Sequence, residues 1–136
     1  KREAFRAAFA GFDIETVAGF GAEDRARLLA DAVIVRNAAK VDAALHNARV
    51  TADLRAARGD GALDVLVWSF AQPGRSRPRR VADVPASTPQ SAALATALRD
   101  VGFRFVGPTT AYAAMQAMGL VDDHLAECGF SATAPR

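Results

Sequence analysis

PQSAALATALRDVGFRFVGPTTAYAAMQAMG, residues 89–119, decides how this chain folds. Thr88 and Pro89 fit the N-cap and first helical position of a helix. Leu94, Leu98 and Val101 recur at helical spacing and form its core face. Gly102 ends it. FRFVGP reads as a tight turn. A second helix follows, capped by Thr109 or Thr110 and running to Gly119, with Met115 and Met118 as core residues. Two helices joined by a glycine-bearing turn give a hairpin unit over about 89–119.

Working outward, the rest of the chain also reads as helix. Residues 2–10 carry Phe5 and Phe9 on one face and stop at Gly11. Asp13 caps a short helix in FDIETVAGF. AEDRARLLADAVI has acids in its first turn, which suits the helix dipole. Residues 37–57 form the longest helix, with Val41, Leu45, Ala48 and Ala52 on one stripe and Asp42, His46, Arg49 and Asp53 opposite. DVLVWSF follows the turn RGDG and has no similar run to pair with, so it reads as a short helix. Residues 71–87, rich in Pro, Gly, Ser and Arg, are expected to form a flexible loop. DHLAEC, residues 123–128, is expected to be a last short helix that places His124 and Cys128 on one face. The predicted fold is all-α, a bundle of about eight short helices in a single domain over 1–136.

Composition limits the function classes. With 136 residues and 51% hydrophobic content, the chain can bury roughly two thirds of its unfolded surface. A single cysteine excludes an internal disulfide and fits a reducing cytoplasm. No apolar run approaches the roughly 20 residues of a membrane span, so no membrane role is expected. A formal net charge of +2 permits a polyanionic partner without arguing for one.

The turn of a helix-hairpin-helix directs backbone N–H groups at a DNA phosphate. By pattern alone, helix–Gly–helix is more often purely structural. The letters themselves go further. GFRFVGPTT, MQAMGLVDDH and the ordered run RN…K…NA (Arg36, Asn37, Lys40, Asn47, Ala48) are the most specific blocks. With KREAFRAAFAGFD and WSF, they resemble the bacterial DNA-3-methyladenine glycosylase I family from residue 1 to about 128. The resemblance implies a helix-hairpin-helix DNA glycosylase fold. It also implies base-excision repair, with hydrolysis of the N-glycosidic bond of 3-methyladenine in alkylated DNA. The implied partner is double-stranded DNA, and the implied protein is a monomer in a bacterial cytoplasm. On this comparison Gly102, Phe103, Arg104, Val106, Gly107, Thr109 and Thr110 would face DNA. Set against the wider superfamily's L-P-G-V-G pattern, Phe105, Val106 and Gly107 take the first three places and Thr109 replaces the second glycine. Ala111 stands where bifunctional relatives carry a lysine, and the chain's lysines are Lys1 and Lys40. The resemblance therefore implies a monofunctional enzyme with no Schiff base.

The same comparison implies that His124 and Cys128 are two of four ligands of a structural zinc ion. Such a closed site stabilises rather than activates water. The other two ligands, and the carboxylate that recognises the base, are expected upstream of Lys1, which sits inside a running helix. No catalytic residue is thus assigned within the chain. Asp122 and Asp123 read better as an N-cap and first-turn acid than as a catalytic pair. His46 reads as a solvated residue. Trp68, Tyr112, Gln116 and Lys40 are candidates for the base pocket, while core packing is the plainer reading of Trp68, and packing against the first helix of the hairpin that of Tyr112 and Gln116. Arg36, Asn37 and Lys40 either touch DNA or simply begin a helix. Arg75, Arg77, Arg79 and Arg80 either meet phosphates or lie in a solvated loop. Two rivals stand beside the enzyme: a non-catalytic DNA-binding domain and a small helical protein with a partner-binding role.

Overall fold

The structure is a computed structural model in which residues 1–130 are described. Among these residues it is all helix and turn. The helices are α1 (Arg2–Ala8), α2 (Ile14–Ala18), α3 (Ala22–Ala30), α4 (Ala38–Arg58), α5 (Ala62–Trp68), α6 (Pro89–Asp100) and α7 (Pro108–Met118). Short 3₁₀ turns lie at Ala10–Phe12 and Val81–Asp83. The chain divides into two compact units, Lys1–Leu63 with Asp100–Phe105, and Asp64–Arg99 with the residues from Val106 onward.

In the first unit, local chemistry sets the helix ends. Asp13 accepts from the Thr16 amide at 2.9 Å and opens α2. The Asn37 side chain accepts from the Lys40 amide at 3.0 Å and opens α4; both are N-caps. Phe9, Val17, Phe20, Leu28, Ile34, Val41 and Leu45 are buried together. The stripe expected on the long helix is thus confirmed at Val41 and Leu45. α3 is shorter than its sequence suggests. Asp31 accepts from the Val33 amide at 2.8 Å, and this local bond turns the chain out of the helix. Ile34 is still delivered to the core at 2% exposure.

In the second unit, Leu94, Ala95, Ala111, Tyr112, Met115, Leu120 and Val121 form the core, with Trp68 and Phe70 packed against it. Thr88 accepts from the Ser91 amide at 3.1 Å, and Ser91 Oγ accepts from the Thr88 amide at 2.9 Å. This reciprocal pair caps α6 as the sequence indicates.

Three expectations are corrected. Gly107, not Thr109 or Thr110, caps α7, and both threonines lie in its first turn behind Pro108. Met115 is buried, whereas Met118 is 44% exposed. DHLAEC forms no helix, so His124 and Cys128 do not share a helical face. The carbonyls of both residues accept from the Arg77 guanidinium, and the Ala126 amide bonds to the Pro78 carbonyl. Those groups are thus unavailable to an i→i+4 ladder. The stretch 71–87 is bonded to other parts of its own unit. Its Gln72 amide donates to the Leu120 carbonyl at 2.8 Å, and Arg75 and Arg77 are both engaged.

Candidate DNA-docking turn

α4 carries the residues that hold the turn of the first unit. Gly102 has φ +104°, a backbone conformation open mainly to glycine, and a Cβ there would lie 3.4 Å from Val50. His46 Nε2 lies 2.9 Å from the Gly102 carbonyl. A carbonyl only accepts, so Nε2 carries the proton. His46 is therefore a clamp on the turn rather than the solvated residue its polar stripe suggests.

Asn47, one position on, binds the backbone of Arg104 at both of its groups. Asn47 Nδ2 donates to the Arg104 carbonyl at 3.0 Å, and the Arg104 amide donates to Asn47 Oδ1 at 2.8 Å. A primary amide pairs with a peptide unit much as a neighbouring strand would. Phe105 follows with φ +60° and 58% of its surface exposed. A bulky residue held in that region is strained. Arg104 is exposed as well, and its guanidinium meets no acceptor among the described residues.

In the second unit, Arg99 donates to the Val106 carbonyl at 3.1 Å, which fixes the approach to α7. Gly107 takes an extended conformation as the cap of that helix. The Ala111 amide bonds back to the Gly107 carbonyl. The first-turn amides of Thr109 and Thr110 precede that bond and have no partner within the helix. The positive end of the helix dipole lies there too.

Of the base-pocket candidates, Lys40 belongs to the first unit, and Trp68, Tyr112 and Gln116 belong to the second. Lys40 lines a cavity of about 450 Å³ in the first unit, together with Phe5, Phe9, Phe12 and Asn47. Trp68 packs on the core of the second unit. Tyr112 and Gln116 meet on Asp123 instead. The Tyr112 hydroxyl donates to its carboxylate, as does Gln116 Nε2 at 2.8 Å. Arg75 lies 3.4 Å from the other oxygen of Asp123 and donates to the Tyr112 hydroxyl at 2.8 Å. The Asp123 side chain is only 6% exposed. Burial, then the bond to Asp123, raises the Tyr112 pKa above its usual value.

Asp122 accepts from His124 Nδ1 at 2.7 Å and from the His124 amide at 3.1 Å. The bond to the His124 side chain, foremost, keeps the Asp122 carboxyl below its usual range. Arg77 ties the segment through the carbonyls of His124, Cys128 and Phe130, at 3.1, 3.2 and 2.5 Å. Neither aspartate is therefore the helix cap expected of it. Arg80 pairs with Asp83 at 2.9 Å. Three of the four arginines in the loop are thus bound to groups of this chain.

The model of the methyladenine glycosylase family matches residues 1–132. The chain belongs to this family. It is 42% identical over 130 residues to DNA-3-methyladenine glycosylase 1 of Escherichia coli (strain K12), covering 94% of this chain and 68% of the relative. It is 38% identical to the DNA-3-methyladenine glycosylase of Haemophilus influenzae over 94% of this chain and 69% of that protein. A crystal structure of 3-methyladenine DNA glycosylase I superposes with a TM-score of 0.88 at 40% identity, over 94% of this chain and 70% of that one. The enzyme from Staphylococcus aureus, solved for its recognition of 3-methyladenine, gives 0.84 at 29% identity, over 93% and 68%. The all-α glycosylase fold expected from the sequence is therefore the fold of this chain.

Two outcomes check this geometry. Asn47→Ala should lower unfolding stability by about 1 kcal/mol and speed hydrogen exchange at the Arg104 amide. Unchanged exchange there would show that the pairing is not made. Tyr112 is the only tyrosine, so its phenolate absorbance can be titrated directly. The folded protein should titrate above the ordinary value of 10.0. Because the folded-state value is the raised one, this contribution to stability is complete below pH 10 and fades as pH climbs through the folded value. A midpoint at or below 10 would contradict the buried network.

Proposed function

We propose that the chain docks duplex DNA and serves the hydrolytic removal of 3-methyladenine, as a monofunctional glycosylase acting as a monomer in the cytoplasm. The observation that carries this reading is the family match over residues 1–132. It covers GFRFVGPTT, which the fold presents as a clamped turn followed by a capped helix. Arg104 and Phe105 are the exposed side chains of that turn. Gly102 shapes it through its positive φ. Gly107 admits close approach, and the amides of Thr109 and Thr110 are free to meet a phosphate. Val106 is fixed by Arg99 and packs inward.

The chemistry asks little of an active site beyond extrusion and recognition. Methylation at N3 puts positive charge on the purine and makes it a good leaving group. A damaged base is also cheaper to unstack. Ala111 is buried at 3% exposure and offers no amine. Asp122 and Asp123 are occupied by His124, Arg77, Tyr112, Gln116 and Arg75, so no step is assigned to them.

The donor chemistry around His124 and Cys128 suits zinc. Nδ1 of His124 faces Asp122, which leaves Nε2 as the ligand atom, the usual carboxylate–histidine–zinc arrangement. Cys128 is an exposed free thiol. Among the described residues no group of three or more potential ligands comes together, so these two supply part of a set. Bound zinc would contribute stability, and no reaction step passes through it.

Alkylated duplex DNA incubated with the protein should lose 3-methyladenine as the free base, with the strand left intact. DNA binding without base release would favour a non-catalytic DNA-binding domain. Base loss coupled to strand cleavage and a borohydride-trapped adduct would overturn the monofunctional reading. For the metal, Zn²⁺ should slow modification of the single cysteine by a thiol reagent. Equal rates with and without Zn²⁺ would remove Cys128 as a ligand.

A further inference from the structure

A polar cleft of about 490 Å³ opens in the first unit where the N-terminus of α3 meets α4. Arg25, Arg49 and Arg104 line it, with His46 and Asp42. Among the described residues Asp42 is the only carboxylate on its walls. That carboxylate is consumed by one cation: Arg25 Nε and Nη2 donate to it at 2.5 and 2.9 Å. Arg49 uses two of its nitrogens on the carbonyls of Ala18 and Phe20, at 3.0 and 2.6 Å. Carbonyl partners fix its position but do not neutralise it. Arg104 has its backbone held by Asn47 and its guanidinium free. Three guanidiniums therefore face one carboxylate.

The nine-residue helix α3 adds its N-terminal amides at Gly21 and Ala22. One of them, the Gly21 amide, is already bound to Asp24. The helix end alone would carry little. The fixed cations beside it are what make an anion site, because guanidinium forks match phosphate oxygens in pairs.

We propose that this cleft is a DNA-phosphate subsite of the first unit, receiving a phosphate of the DNA backbone. The inference rests on the reading of the chain as a DNA-docking glycosylase. Arg104 ties the cleft to the turn, since its backbone is held there by Asn47 and the same residue lines the cleft. The phosphate would be held by Arg104 and Arg49, while Arg25 is shared with Asp42. Asp42 thus acts as a brake on affinity. In the absence of DNA it offsets the charge of Arg25, and in the complex it competes with the phosphate.

The brake supplies a test that loss of folding cannot imitate. Asp42→Asn should tighten binding of a short unmodified duplex severalfold and steepen its salt dependence, since Arg25 is released to the anion. Its ion pair is half exposed on both sides, so the substitution costs little stability. Asp53→Asn makes the same change of charge on the same helix, at an exposed position away from the cleft. It should tighten binding less. Ala22→Glu places a carboxylate at the mouth and should weaken binding severalfold, flattening the salt slope by about 0.9. If Asp42→Asn and Asp53→Asn act equally, or Ala22→Glu has no effect while the unaltered protein binds DNA, the subsite is overturned and the docking function stands. If the unaltered protein binds no DNA, both fall together.

Discussion

The pairing of the Asn47 side-chain amide with both backbone groups of Arg104 is the constraint on which the proposed docking turn depends. An exposed turn has no ladder of its own to satisfy its N–H and C=O groups. Here a rigid helix of 21 residues provides the missing partner, and His46 repeats the device one residue earlier on Gly102. With its backbone held, the turn can present an exposed phenylalanine in a strained conformation and an unpaired arginine. Neither feature serves packing, and both are expected where strain is kept for binding.

A second buried arrangement stabilises the other unit. Asp123 is nearly inaccessible and receives Tyr112, Gln116 and Arg75. Removing the carboxylate would take away the acceptor of the Tyr112 hydroxyl and of Gln116 Nε2 and leave Arg75 without its counter-charge, the costly case for a buried ion pair. Asp122 sits one residue earlier and turns outward to His124 and Arg77. Adjacent carboxylates of the same type therefore have separate tasks, one holding a core and one orienting an imidazole.

Most helical periods and the caps at Asp13 and Thr88 were legible in the sequence because they are local. Asp13, Thr88 and Pro89 act within three or four residues of themselves, and Val41, Leu45 and Leu94 show the spacing of their helices directly. The family was legible for another reason: blocks such as GFRFVGPTT are specific as strings. What the sequence hid was pairing at long separation. Asn47 and Arg104 are 57 positions apart, and nothing near either announces the other. Long separation also hid the partners of Arg75 and Arg77, whose acids lie at Asp123 and Asp122. DHLAEC misled because its i, i+4 spacing is helical. Asp122, Arg77 and Pro78 take the backbone groups that a helix would use. The one trace of the clamp was the asparagine in the run RN…K…NA, which the resemblance marked without giving it a role.

Docking of DNA on the turn that α4 holds can be followed directly by NMR, through the backbone amide shifts as a short duplex is added. The amides of Gly102, Arg104, Phe105, Gly107, Thr109 and Thr110 should shift together and saturate at one affinity. Saturable binding that leaves all six unmoved, with the shifts gathered elsewhere on the protein, would contradict it.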